Sequence, residues 1–96
     1  MRTIPLQHAS PLTNAVVGRA VARCGLQIKS VGTLATYRGC AHWHIVKPGA
    51  TGTLELTYWP QTGEAWFAIH ANRKAEWINT TLPSLKQYLQ TDNTME

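Results

Sequence analysis

Long apolar runs are missing from this chain. No segment approaches the ~20 consecutive apolar residues of a membrane-spanning helix. Pro5, His8 and Pro11 break the N-terminal stretch, and Arg19 and Arg23 interrupt the apolar one that follows, so the pattern is not that of a secretory signal. Cysteine is scarce: Cys24 and Cys40 stand without CxxC spacing and read as reduced core thiols. With no export signal, Asn79-Thr80-Thr81 reads as an accidental glycosylation sequon, and the expected location is the cytoplasm. Charge is also lean, at 15% of residues, against about a quarter in an average domain. A disordered chain needs high charge and low hydrophobicity, so this one is expected to fold. There is no P-loop, no GxGxxG and no Gly-x-Ser-x-Gly elbow, and residues 48–52 have neither the spacing nor the following helix of a phosphate cradle. No cofactor is expected. Repeats, low-complexity segments and linkers are absent, so residues 1–96 read as a single domain.

Acids are few as well. Glu55, Glu64, Glu76, Asp92 and Glu96 oppose nine lysines and arginines, for a formal net charge of +4. A positive field attracts phosphate-rich or acidic partners. The plainer reading is that such a charge keeps a small domain soluble, because the cations are scattered rather than gathered into an arm or tail.

The pattern of the chain changes twice. Residues 1–9 read as an extended lead-in. Ser10-Pro11 supplies a hydroxyl cap and a proline for a first helix over 11–24, with Leu12, Val16, Ala20, Val21 and Cys24 at helical spacing. Gly25 ends it. From Leu26 the period becomes two. Residues 26–38 predict one strand with a bulge near Gly32, or two short strands. Residues 40–46, 53–59 and 65–70 predict further strands, joined by turns containing Pro48-Gly49 and Pro60 with Gly63. Short connections make them antiparallel. A second helix can begin within 74–79, with a firmer start at Thr81 and Pro83, and runs to about residue 90. Residues 91–96 are expected to fray. The expected fold is α+β: a two-layer sandwich, α-β-β-β(-β)-α, with an antiparallel meander and both helices on one face.

Alternation sorts the strands into two faces. Trp43, Ile45, Leu54, Leu56, Tyr58, Phe67 and Ile69 are expected to face the helices. His42, His44, Thr53, Glu55, Thr57, Trp59, Trp66, Ala68 and His70 fall on the other side. Keeping same-face residues opposite each other places His44 across from Glu55 and His42 across from Thr57, with Trp66 beyond it. His70 then lies beside Thr53, so that Glu55 reaches both His44 and His70. Three readings compete here. The cluster is an ordinary cross-strand polar pair; or His42, His44 and Glu55 form an acid–base site, in which a carboxylate fixes and activates an imidazole; or His-x-His forms a metal site with His42, His44 and His70, or with Glu55 as third ligand.

Four tryptophans serve 96 residues. Trp43 reads as core and Trp77 as packing for the last helix. Trp59 and Trp66 either cover the sheet or offer faces on which bases stack. With Arg38, Lys47, Arg73 and Lys74 they would make a nucleic-acid-binding platform, although no RNP-type motif is present.

The α-β-β-β-α layout, with a first helix over Val16 to Gly25 and Gly39-Cys40-Ala41-His42 opening a strand, resembles the double-stranded-RNA-binding-like fold of the small HicA-type RNA-cleaving toxins. In those, a Gly-Ser-His segment opens the corresponding strand. The resemblance implies that His42 is the catalytic residue and that the sheet face meets RNA. The serine is missing here, and the glycine-to-histidine spacing is one residue longer. The leading expectation is therefore a small basic protein, bacterial or phage-like, that binds nucleic acid, RNA in particular, on its open sheet face, with His-based cleavage as an added activity. The alternative is a non-catalytic interaction module or homodimer using the same Trp/His-rich face.

Overall fold

The computed structural model describes residues 2–7, 11–69 and 75–91. Its elements are β1 (Arg2–Leu6), α1 (Asn14–Arg23), β2 (Gln27–Leu34), β3 (Tyr37–Val46), β4 (Leu54–Trp59), β5 (Glu64–Ile69) and α2 (Glu76–Thr91). The strands form one antiparallel sheet in the order β1-β5-β4-β3-β2. The expected α+β architecture is present, and β2 to β5 are the meander.

Three boundaries differ from the sequence reading. The lead-in is a strand: β1 pairs with β5 from Arg2↔Ile69 to Leu6↔Ala65, a contact with no local signal. Pro5 fits because an edge strand tolerates a missing donor. Helix α1 starts three residues later than expected. Thr13, not Ser10, caps it, its hydroxyl accepting from the Val16 N–H at 3.2 Å; Ser10 lies outside the described residues. Helix α2 is continuous from Glu76 and carries Pro83 inside it. An internal proline costs about 3 kcal/mol. Burial of Trp77, Ile78, Leu82, Leu85 and Leu89 outweighs this, at about 1.5–3 kcal/mol for each large side chain.

Other expectations hold. Gly25 closes α1 at φ 72, with Leu26 N–H bonded to the Val21 carbonyl and Gly25 N–H to that of Ala22. This is the Schellman pattern. Residues 26–38 divide into β2, a turn at Ala35-Thr36 and the first residues of β3. The β2–β3 pairing is interrupted between Gly32 and Leu34, where a bulge was expected, and also between Ile28 and Ser30.

Both helices share one core with the sheet, which includes Val17, Ala20 and Val21 of α1, Trp43, Ile45, Leu54, Leu56 and Phe67 of the sheet, and the α2 residues named above. Indole donors fasten the layers. Trp43 Nε1 donates to Asn14 Oδ1 on α1 at 2.9 Å, and Trp77 Nε1 to the Thr51 carbonyl at 2.7 Å. Arg23 lies over the Tyr88 ring at 5.4 Å, joining α1 to α2.

The β3–β4 connection passes close to the start of α2. Gly52 has φ +100, and a Cβ there would overlap the Ala75 methyl. Gly49 also has positive φ, at +80, but a Cβ on it meets nothing within 4 Å. Gly49→Ala should therefore cost about 1 kcal/mol of backbone strain, and Gly52→Ala about 2–4 kcal/mol with the added overlap. Thermal unfolding of the two variants checks this; equal losses would contradict the close approach.

Candidate functional site

The register of β3, β4 and β5 builds the site. His44 pairs with Glu55 and His42 with Thr57, and Thr57 pairs with Trp66, as alternation predicts. Side chains then select a diagonal contact: His42 Nε2 lies 3.3 Å from Glu55 Oε1. His42 Nδ1 is 2.7 Å from Thr57 Oγ1. The His44 ring stands edge-on to His42, with centroids 4.9 Å apart. Glu55 was expected to reach His44 and His70; His44 is its direct partner across the strands, the 3.3 Å contact is with His42, and His70 lies outside the described residues. One donor atom each from His42, His44 and Glu55 falls within 4.8 Å of the others.

These contacts fix the proton on His42. A carboxylate only accepts, so Nε2–H donates to Glu55, and Nδ1 accepts from the Thr57 hydroxyl. The pair is well enclosed, with His42 7% and Thr57 1% exposed. Burial pushes His42 below the ordinary histidine value; the Glu55 carboxylate opposes this, and the neighbouring His44 adds to it. His42 is thus a neutral, doubly held imidazole, while His44 remains half-buried. A groove of about 450 Å³ opens beside the cluster, lined by residues 30–34 of β2 with His42, His44 and Glu55.

Further along the same face, Tyr37 makes edge contacts with Trp59 and Trp66, ring centroids 5.0 Å apart in each pair. The Trp59 indole donates to the Arg38 carbonyl at 3.0 Å. All three aromatics are half-buried and Arg38 is exposed. Lys47 lies beyond the opposite end of β3, so the structure does not bring it to the aromatic group. Arg73 and Lys74 lie outside the described residues.

The sequence reading missed Tyr37. Gly39, at φ 79 within β3, lies in a stretch where four residues of β3 oppose one of β2, between the pairs Leu34↔Tyr37 and Gly32↔His42. Such an irregularity shifts the alternation and turns Tyr37 onto the face of Trp59. A glycine inside a strand pattern was the available signal.

No protein-family model matches this chain, and neither does any curated protein or solved structure.

Thr57→Val removes the hydroxyl at constant shape and leaves the buried His42 Nδ1 without a donor. It should cost about 1–3 kcal/mol, read by denaturant unfolding; a neutral effect would remove Thr57 from the site. The pH dependence follows from His42. Unfolded, it binds its proton near pH 6.5; folded, it does so only at lower pH, so the unfolded state holds more protons between the two. Its contribution is therefore complete above about pH 6.5 and is lost as pH falls toward the folded value. Acidification from pH 7.5 to 5 should lower Tm more in the wild type than in His42→Gln, and parallel profiles would refute this.

Proposed function

We propose that the protein binds single-stranded nucleic acid, RNA in particular, on the open face of its sheet. The observation that carries this is the group of Tyr37, Trp59 and Trp66 beside Arg38. Partly exposed aromatic rings let bases stack without regard to sequence, and each stacked base is worth about 1–3 kcal/mol. The net charge of +4 supplies the attraction for phosphates. The sequence-level resemblance to small RNA-cleaving toxins points the same way, although four strands here lie between the helices and a fifth precedes them. A cytoplasmic setting is proposed with it. Cys24 and Cys40 are free thiols, which suits a reducing compartment, and no helix of the described residues is long and apolar enough to cross a membrane.

For strand cleavage, His44 is the group to test, because His42 spends both ring nitrogens inside the fold. A second reading rests on β2, an edge strand on which Val31 is 49% exposed. There a second copy of the chain could add its own strand.

Fluorescence anisotropy with a short labelled single-stranded RNA tests the proposal. Binding should weaken steeply with salt. Trp66→Ala should cost about 5- to 150-fold, the equivalent of one stacked base, and Arg38→Ala should reduce the salt dependence. Lys86→Ala, on the helical side, should change little. Absence of binding at low salt, or equal losses for Arg38 and Lys86, would overturn the reading. Product formed in EDTA and abolished by His44→Gln would add catalysis. Dimerisation lost on Val31→Lys, without RNA binding, would favour the second reading.

A further inference from the structure

We propose that His42, His44 and Glu55 form a binding site for a zinc-class divalent ion, with Thr57 holding His42 from behind. Two imidazoles and a carboxylate are a donor set for zinc and its first-row neighbours. Magnesium and calcium prefer oxygen alone.

Geometry supports the assignment. In a tetrahedral shell with bonds of about 2.0–2.1 Å, ligand atoms lie about 3.4 Å apart. His42 Nε2 and Glu55 Oε1 already stand 3.3 Å apart. The three donor atoms fall within 4.8 Å of one another, so rotation of the half-buried His44 closes the shell. A plain cross-strand pair would account for His42 and Glu55. It does not call for a second imidazole 4.9 Å from the first, which here stands directly across from the same Glu55.

Thr57 provides what a metal-bearing histidine requires, a partner on its other nitrogen. The hydroxyl lies 2.7 Å from Nδ1. It can donate to Nδ1 in the metal-free protein or accept from Nδ1–H once Nε2 carries the ion. The change of tautomer therefore needs no rearrangement of β4. Three protein ligands leave coordination positions for water or an anion, and the groove of about 450 Å³ bounded by β2 gives access to them.

The site goes beyond the nucleic-acid reading and is tested without RNA, so either can fail alone. Tag-free protein, stripped with EDTA and dialysed, is titrated with zinc chloride by calorimetry and with cobalt(II) by visible absorption. One ion per chain is expected, with Kd on the order of 1 µM or tighter, weakening at acid pH as protons compete for the imidazoles. Cobalt(II) should give the intense visible bands of a four- or five-coordinate site. His44→Ala and Glu55→Gln should each weaken binding at least tenfold, and Thr57→Val by about 10- to 100-fold, with Thr57→Ser restoring it. No heat and no cobalt bands at 100 µM metal, in protein folded by circular dichroism, would overturn the proposal. So would wild-type affinity in a folded His44→Ala/Glu55→Gln variant. If that pair does not fold, unchanged affinity in His44→Ala alone would overturn it.

Discussion

The open face depends on the strand register, and the opposite face of the sheet holds that register. Trp43 pairs with Leu56 and Ile45 with Leu54, and Leu56 pairs with Phe67. These side chains are at most 1% exposed. A slip of one residue would turn the whole set toward water and bring histidines and a glutamate under the helices. Burial of each large apolar side chain is worth about 1.5–3 kcal/mol, far more than any single polar contact on the other side. His42, His44, Glu55 and Thr57 are therefore positioned by residues that none of them touches on its own face.

That arrangement explains why the second face is only partly open. Thr57 sits between His42 and Trp66 in adjacent strands, and Tyr37 meets both Trp59 and Trp66. The aromatics cover the sheet at one end and leave the groove beside β2 at the other. Edge-on aromatic pairs add about 0.5–1.5 kcal/mol beyond area burial. The same rings can thus stabilise the fold and still present part of their surface to a ligand.

Much of this was legible in the residues. Alternation through Cys40–Val46, Thr53–Trp59 and Ala65–Ile69 gave the two faces and the pairing of His44 with Glu55, because a buried face makes the period of two strict. Four features were not legible, each for its own reason. Strand β1 pairs across the whole chain, and Pro5 reads locally as a breaker. Pro83 lies within a helix because buried leucines on either side outweigh its propensity. The diagonal approach of His42 to Glu55 depends on side-chain rotation, which strand periodicity does not encode. Tyr37 was overlooked because an irregularity at Gly39 shifts the count of faces.

The pairing of β1 has a consequence for the order of assembly. Leu6 is at the end of β1, and β5 extends to Ile69, so 63 residues, 69 less 6, must be made before the partner strand is complete. At a synthesis rate of about 5–20 residues per second, that is a wait of roughly 3–13 seconds. The helix and the meander of β2 to β5 need only local closures, and short loops close at much lower entropic cost. They can collapse first, with the outer edge of β5 bare until β1 returns to it. Strand β1, made before the other described strands, can then join the sheet after them, covering an edge of β5 that would otherwise stay open to other chains.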